Sequence, residues 1–224
     1  MAPRDFATRL TRRAARAGLF PNDELVEQLD MFYALLTRWN QKINLTSLAD
    51  PDEAIDRLIL EPLAAVRFVP GGVSAMMDIG SGGGSPAIPM KLVSPKVALT
   101  MVEVKARKSA FLREATRHLK LADTVVETAR VEELLTRSDM HESFDVITMR
   151  AVRVELRMLQ TLQAFVRPGG RMLLFRGPSG PDAPAVVMPP LQWVETQPLL
   201  DTLQSRLTVL SKVPVGNGIV PRGT

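Results

Sequence analysis

The pattern of apolar and polar positions divides the chain near residue 72. Before that point, apolar residues recur at helical spacing and predict an amphipathic helix of about 17 residues, whose inner positions are Leu25, Leu29, Phe32, Tyr33, Leu36 and Trp39. We expect the helix to begin after Asn22, a capping residue that two acids follow. The polar residues 40–47 interrupt the period and predict a loop. Pro51 opens a second predicted helix, and Pro70-Gly71-Gly72 ends this helical region.

After residue 72, short apolar runs alternate with helical segments. Strands are predicted at 74–79, 97–102, 123–127, 144–149 and 170–175, with helices at about 105–120, near 131–137 and at about 153–166. Strands that are separated by helices favour an α/β fold with a mostly parallel sheet and helices on both faces. Two later segments, Trp193–Thr196 and Arg206–Leu210, are expected to close the sheet as an antiparallel pair.

The domain organisation follows from these two patterns. Residues 1–72 are predicted to form a basic arm and a helical extension, and residues 73–224 to form the α/β core. Within the extension, residues 1–20 are compatible with a short basic helix or with an arm that becomes ordered on binding, and the sequence does not choose between them.

Composition narrows the classes of function. The chain has no cysteine, which excludes disulfides, thiolate metal sites and a cysteine nucleophile. The sequence holds no run of about 18 apolar residues and its first 20 residues do not resemble a secretory signal. We therefore expect a cytoplasmic protein without a membrane segment. His118 and His141 lie apart in polar stretches, so we expect both on the surface and predict no metal site.

Positive charge is concentrated in three places in a chain of net charge +4. Each cluster has only one acid within it, and any single cluster is explained equally well by a solvated helix face. Together they favour a polyanionic partner such as RNA or DNA. The clusters comprise Arg4, Arg9, Arg12, Arg13 and Arg16; Lys105, Arg107, Lys108, Arg113, Arg117 and Lys120; and Arg150, Arg153, Arg157, Arg167, Arg171 and Arg176.

The first predicted strand runs into a glycine cluster, Asp78-Ile79-Gly80-Ser81-Gly82-Gly83-Gly84. Such a strand–turn–helix connection offers backbone N–H groups to a ligand. A phosphate loop of the Walker type is excluded, because Ser85-Pro86 stands where Gly-Lys-Ser/Thr is needed. Two ligand interpretations remain, a dinucleotide fingerprint over Gly82, Gly84 and Ala87, and the acid-x-Gly-x-Gly-x-Gly pattern typical of S-adenosylmethionine (SAM) methyltransferases. A glycine-rich turn without a ligand is the structural alternative.

A second acid, Glu103, ends the next predicted strand nineteen residues after Gly84. A carboxylate at that position accepts hydrogen bonds from both hydroxyls of a ribose, whether the nucleoside belongs to NAD or to SAM. An NAD(P)-dependent oxidoreductase also needs a Tyr/Lys pair or a His after the fourth strand, and the only tyrosine of the chain is Tyr33. The sequence therefore favours SAM.

Several segments in the same order resemble the RsmG (GidB) family, which methylates N7 of a guanine in small-subunit ribosomal RNA. They span roughly residues 25–180 and comprise Trp39 to Ser47, Asp78 to Pro89, Lys108 to Leu112, Ala129 to Glu133 and Asp145 to Val152. The resemblance implies a class I, Rossmann-like SAM methyltransferase that acts on 16S ribosomal RNA or a ribosomal particle, and we expect a monomer. A methyltransferase with another acceptor and a non-catalytic RNA-binding protein are the alternatives.

The resemblance also implies roles for individual residues. Gly80 and Ser85 would contact the cofactor, with Asp78, Ser81, Gly82 and Gly84 around its methionine part; Glu103 would bind the ribose, and Val131 and Glu132 would lie beside the adenine. Asn44, in the Asn-Leu-Thr segment, is a further candidate for catalysis. This chain departs from the family pattern at Leu58, Pro62, Gly83, Ser85 and Arg176.

The end of the fourth strand bears on the type of methyl acceptor. Met149-Arg150-Ala151-Val152 stands where enzymes that methylate amino groups of bases carry Asp/Asn-Pro-Pro-aromatic. Guanine N7 has an in-plane lone pair, so its methylation needs positioning and electrostatics and no general base. Arg150 would then bond guanine O6, a phosphate or the cofactor carboxylate; a structural ion pair with Asp145 or Glu132 is the other interpretation.

Overall fold

The computed structural model describes residues 3–47, 50–150, 155–178 and 187–214. Its helical N-terminal layer consists of α1 (Pro3–Arg16), α2 (Asp23–Ile43), α3 (Pro51–Ile55), a π-helical segment (Asp56–Leu60), α4 (Glu61–Ala65) and a 3₁₀ turn (Val66–Phe68). Within the described residues, every helix is too short or too polar to cross a bilayer.

The amphipathic helix that the sequence predicts after Asn22 is present as α2, and it is longer than expected. Asn22 caps α2 with its side chain, which accepts a hydrogen bond from the Leu25 N–H at 2.9 Å. The predicted loop over residues 40–47 was wrong in its first half, because α2 continues to Ile43 and ends at Asn44, whose backbone is left-handed with φ 51°. Gln41 and Lys42 are exposed, so their polarity marks the solvent side of the last turn and not a break in the helix.

The N-terminal arginines hold the helical layer together. Residues 3–16 form a helix, which resolves the choice that the sequence left open. Arg13 forms a two-point ion pair with the buried Asp56, with both nitrogen–oxygen distances at 2.6 Å, and also contacts Asp52 at 2.9 Å. Arg9 lies 3.0 Å from Asp52. These two cations are therefore occupied within the fold, and the prediction of a nucleic-acid contact loses this part of its support.

Among the described residues, the sheet has seven strands in the order β3-β2-β1-β4-β5-β7-β6. Strands β1 to β5 are parallel to one another, and β7 pairs antiparallel with both β5 and β6. The predicted parallel sheet and its antiparallel closure are thus confirmed. The strands are β1 (Ala75–Ile79), β2 (Ala98–Val102), β3 (Thr124–Glu127), β4 (Phe144–Arg150), β5 (Val166–Arg176), β6 (Leu191–Pro198) and β7 (Arg206–Lys212).

In the part of the chain that the structure describes, three α-helices and short 3₁₀ turns connect these strands. The helices are α5 (Ala87–Val93), α6 (Ala106–His118) and α7 (Leu156–Leu162), and the longer 3₁₀ turn is Val131–Thr136. The predicted helix at 153–166 was too long at its end, because β5 already begins at Val166. Pro168-Gly169-Gly170 lies inside β5, where the register against β4 shifts, so it forms an irregularity of the strand and not the turn before it.

Apolar side chains cover both faces of the sheet. Along β1, Met76 belongs to the core beneath α2, α5 and α6, whereas Met77 and Ile79 belong to the core on the opposite face. This alternation is the period of a strand that is buried on both sides. Because β1, β2 and β4 are parallel, their carboxyl ends meet at one edge of the sheet, which carries Asp78, Glu103 and Arg150.

Candidate cofactor site

The glycine loop leaves β1 in a tight turn that is fixed by backbone hydrogen bonds. The N–H groups of Gly80 and Ser81 both donate to the carbonyl of Val102, at 2.9 and 3.1 Å, and so join the loop to β2. Gly80, Gly82 and Gly84 all have positive φ, at 72°, 50° and 81°. Side chains other than hydrogen rarely adopt this conformation, which explains the alternating glycines that the sequence showed.

Gly84 is the most constrained position of the loop, and its replacement by alanine is expected to destabilise the protein by about 2–4 kcal/mol. A Cβ there would stand 2.6 Å from Ile88 Cδ1 and 3.3 Å from Phe32 Cε2, and both of these side chains are fully buried. Gly169→Ala is a matched control, since Gly169 has the same φ of 81° with nothing within 4 Å of its Cβ position. Urea unfolding of both variants separates the clash from the backbone strain; equal losses would contradict the packing argument.

Asp78 is a buried carboxylate with unused bonding capacity. It is 1% exposed, and its Oδ1 accepts a hydrogen bond from Thr148 Oγ1 at 2.5 Å. Its Oδ2 is buried and has no hydrogen-bond partner among the described residues. Loss of solvation raises the pKa of Asp78 from its ordinary value to about 6, and the Thr148 hydrogen bond opposes this increase. A buried carboxylate oxygen without a hydrogen-bond partner is energetically unfavourable, and a cationic ligand group beside it would stabilise its charge.

Glu103 is fixed at the end of β2 by the loop that it supports. The residue is 6% exposed; its Oε2 accepts from the Gly82 N–H at 3.0 Å, and its Oε1 accepts from the Lys105 N–H at 2.8 Å. Each carboxylate oxygen has a second lone pair, so both remain able to accept a ribose hydroxyl. Glu103 therefore holds the glycine loop to β2 and keeps the capacity for the predicted role.

The predicted adenine contacts follow β3 at the same edge of the sheet. Val131 is buried, whereas Glu132 is exposed on the first turn of the 3₁₀ helix. A capping box stabilises this turn, because the Arg130 N–H donates to Glu133 Oε2 at 3.1 Å. An apolar wall beside an exposed carboxylate matches the two sides of an adenine, its ring and its amino group.

Ser85 connects the glycine loop to the helical layer. Its hydroxyl donates to the carbonyl of Leu58 at 2.8 Å. Leu58 belongs to the π-helical segment, so this hydrogen bond joins the glycine loop to that segment and engages the serine hydroxyl within the protein.

Arg150 is buried at the end of β4 and is paired with a residue that the sequence analysis missed. Its guanidinium lies 2.9 Å from Glu61 Oε2, donates to the Arg57 carbonyl and stacks 4.6 Å from the centre of the Phe175 ring. Burial lowers the pKa of Arg150, and the Glu61 charge opposes this effect.

The predicted pairing of Arg150 with Asp145 was wrong, because Asp145 binds Arg167 at 2.7 Å. The alternative partner, Glu132, is exposed. Glu61 was recognisable only as an acid within an apolar run.

A cleft of about 320 Å³ lies between the glycine loop and the helical layer, within the size range of small-ligand sites. It is lined by Leu36, Leu45, Thr46, Ser47, Arg57, Leu58, Gly80, Ser81, Gly82, Gly83, Ser85, Lys108 and Arg150. Asn44 is exposed beside this wall and is not part of it, so its catalytic role stays a prediction. Ala151 and Val152 of the strand-four motif lie outside the described residues, as do residues 179–186.

A solved structure supports the fold independently of sequence. A SAM-dependent methyltransferase from Aquifex aeolicus superposes with a TM-score of 0.55 at 14% identity, covering 80% of this chain and 98% of that chain. At this identity the likeness concerns the fold alone, which is the class I methyltransferase fold that the resemblance implied.

Sequence comparison identifies the family. A protein of Roseiflexus castenholzii named ribosomal RNA small subunit methyltransferase G is 35% identical over 168 residues, which is 75% of this chain and 72% of the relative. Its namesake in Caldanaerobacter subterraneus subsp. tengcongensis is 36% identical over 170 residues, 75% of this chain and 71% of the relative. The family model described as GidB, rRNA small subunit methyltransferase G, matches residues 25–185. The chain therefore belongs to the GidB family of small-subunit rRNA methyltransferases.

Proposed function

We propose that this protein transfers a methyl group from SAM to N7 of a guanine in the 16S ribosomal RNA of the small subunit. The observation that carries the proposal is the pair of buried carboxylates, Asp78 and Glu103, on either side of a loop with three glycines at positive φ. The relatives' printed names support small-subunit rRNA as the acceptor. The proposed substrate implies a cytoplasmic location, and the expectation of a monomer is testable by light scattering.

The side chains of the site have the chemistry that SAM requires. The orphaned Oδ2 of Asp78 and the loop beside it would hold the positively charged methionine end, and Glu103 would hold the ribose. Val131 and Glu132 would hold the adenine. When bound, SAM supplies a methyl group that its sulfonium sulfur makes electrophilic. The protein's own contribution is to exclude water from this edge of the sheet and to orient the acceptor.

The lining of the cleft favours an acceptor that needs no deprotonation. Among its described lining residues there is no Asp, Glu, His or Tyr, and the three ionisable groups are the cations Arg57, Lys108 and Arg150. A hydroxyl or an amino group would need a base to take its proton. Guanine N7 presents a lone pair already, so this wall agrees better with N7 than with an oxygen or an exocyclic nitrogen.

The affinity for SAM is expected to fall on acidification, with a midpoint near pH 6. The pKa of Asp78 is about 6 in the free protein, and a cationic ligand favours its ionised form, so below that pH a proton must be released on binding. Calorimetry should show an affinity for SAM that is about tenfold lower at pH 5 than at pH 7.5. The Asp78→Asn variant should bind SAM more weakly at pH 7.5 and show little of this dependence. A wild-type affinity that is constant over this range would contradict the role of Asp78.

The contribution of Asp78 to folding stability changes with pH in the opposite direction to the affinity for SAM. The folded-state pKa of Asp78 is raised above its ordinary value, so its contribution to the stability of the free protein is present at acid pH. This contribution is lost as the pH rises through about 6. SAM should therefore stabilise the protein most above pH 7, where the unpaired carboxylate is fully charged.

The proposed function is tested by methyl transfer to a panel of acceptors. Labelled SAM is incubated with unmodified small subunits, with free 16S rRNA, and with large subunits as the control. The proposal expects label in the small-subunit RNA and none in the large subunit. Transfer to the large subunit alone, or SAM binding without transfer to any of these acceptors, would contradict it.

A further inference from the structure

The walls of the cleft carry an excess of positive charge. Arg57, Lys108 and Arg150 line it, and no carboxylate does so among the described residues. Bound SAM is itself a net cation at neutral pH, since it has a sulfonium and an ammonium against one carboxylate. Like charges repel in a partly desolvated site, so the charge of this wall suits an anionic ligand other than the cofactor.

Two of the three cations already have a partner. Arg150 lies 2.9 Å from Oε2 of Glu61, and Arg57 lies 3.8 Å from Oε1 of the same carboxylate. Glu61 is 1% exposed, so this pairing belongs to the packed helical layer. Both arginines therefore neutralise one buried acid, although Nε and Nη2 of Arg150 make no hydrogen bond with the described residues.

Lys108 is different, because its ammonium makes no hydrogen bond or ion pair with any residue that the structure describes. The residue is half-buried on the first turns of α6. Its Nζ reaches the glycine loop, at 3.9 Å from the position of a Cβ on Gly82. A lysine that is partly desolvated beside a ligand loop and lacks a partner has its charge available for that ligand.

The helix that carries Lys108 has more cations than acids. Exposed cations on and beside α6 are Lys105, Arg107, Arg113, Arg117 and Lys120, of which Arg113 donates to the Val126 carbonyl and to Thr128 Oγ1. Glu114 is the acid of this helix, and Arg38 of α2 binds it at 3.0 Å. An excess of exposed cations on the helix that supplies Lys108 favours a partner with several phosphates over one with a single carboxylate.

We propose that Lys108 is a substrate-binding residue, which holds a backbone phosphate of the RNA beside the methylated guanosine. The proposal rests on the proposed function and adds a specific contact to it. Glu103 and Val131, which would hold the adenosine of SAM, are not among the described residues that line the cleft. Gly80, Ser81 and Gly82, which would hold the methionine part of SAM, do line it, so the methyl group and the acceptor would meet in this cleft.

Replacing Lys108 by glutamine tests this contact. The KM for small-subunit RNA should rise about tenfold, while the affinity for SAM by calorimetry stays unchanged. The salt dependence should lose about 0.7–0.9 from the slope of log(kcat/KM) against log[salt], as expected for one lost phosphate contact. Lys108→Arg should restore most of the KM and the slope.

Lys96→Gln is the matched control, because Lys96 is exposed before β2, at the opposite edge of the sheet from Lys108. It makes the same change in net charge and should leave the KM and the slope as in the wild type. Wild-type values for Lys108→Gln in an active enzyme would overturn this inference alone. A loss of SAM affinity in that variant would also overturn it, by assigning Lys108 to the cofactor. A wild-type protein that methylates no RNA would overturn the proposed function itself.

Discussion

Replacing Glu103 by alanine is expected to weaken SAM binding by about 2–4 kcal/mol. The carboxylate has two roles, and the variant loses both of them. It would lose the acceptor for the ribose hydroxyls, and it would release the Gly82 and Lys105 N–H groups, which lie 3.0 and 2.8 Å from its oxygens. The loop would then have to become ordered when the ligand binds, which lowers affinity further.

Calorimetry with SAM measures this effect, and two variants separate its parts. Glu103→Gln keeps one oxygen acceptor of the same shape, so its loss should be smaller than that of the alanine variant. Glu195→Ala removes a glutamate from the edge strand β6, on the far side of the sheet from β2, and should bind SAM as the wild type does. An unchanged affinity for Glu103→Ala would exclude Glu103 from the cofactor site.

Removing Arg150 alone is expected to destabilise the protein by about 3–5 kcal/mol. The variant Arg150→Met leaves the Glu61 carboxylate in a position that is 1% exposed, with Arg57 at 3.8 Å as its remaining cation. It also removes the stacking contact with Phe175. An uncompensated buried charge is far more costly than the net stabilisation that an ion pair provides.

The double variant Glu61→Gln/Arg150→Met should recover a large part of that loss, because neither charge remains. Urea unfolding of the two single variants and the double variant gives the interaction energy directly. If the losses in unfolding free energy of the two single variants add up to the loss of the double variant, the two side chains do not interact, which would contradict the ion pair. If Arg150 also positions the acceptor, the double variant will fold and bind SAM but transfer methyl groups slowly, a result that a purely structural pair would not produce.

The sequence predicted the placement of the candidate site residues well, because strand ends and glycines depend directly on backbone conformation. Asp78, the glycine loop and Glu103 follow apolar runs that can only be buried strands, and parallel strands bring their carboxyl ends to one edge. The positive φ of Gly80, Gly82 and Gly84 is what their spacing indicated. For these residues local pattern and tertiary structure agree.

The same reasoning failed where a residue's partner comes from another layer. Arg9 and Arg13 were interpreted as free cations. Their partners Asp52 and Asp56 lie about forty positions away in sequence and meet them only after α1 packs against α3 and the π-helical segment. Glu61 was not singled out as the partner of Arg150 for the same reason. The periodicity of apolar residues predicts which face of a helix is buried, but it does not identify the charged residue of another element that this face contacts.

Identification of the modified atom decides whether this protein methylates guanine N7 of ribosomal RNA. Small subunits that lack the modification are incubated with SAM labelled in its methyl group, and their RNA is digested to nucleosides and separated. The structure and the family relationship predict that the label is recovered as 7-methylguanosine, and that Glu103→Ala yields little of it. Label recovered in a different nucleoside would contradict the assignment of N7, and an absence of label despite SAM binding would contradict the assignment of ribosomal RNA.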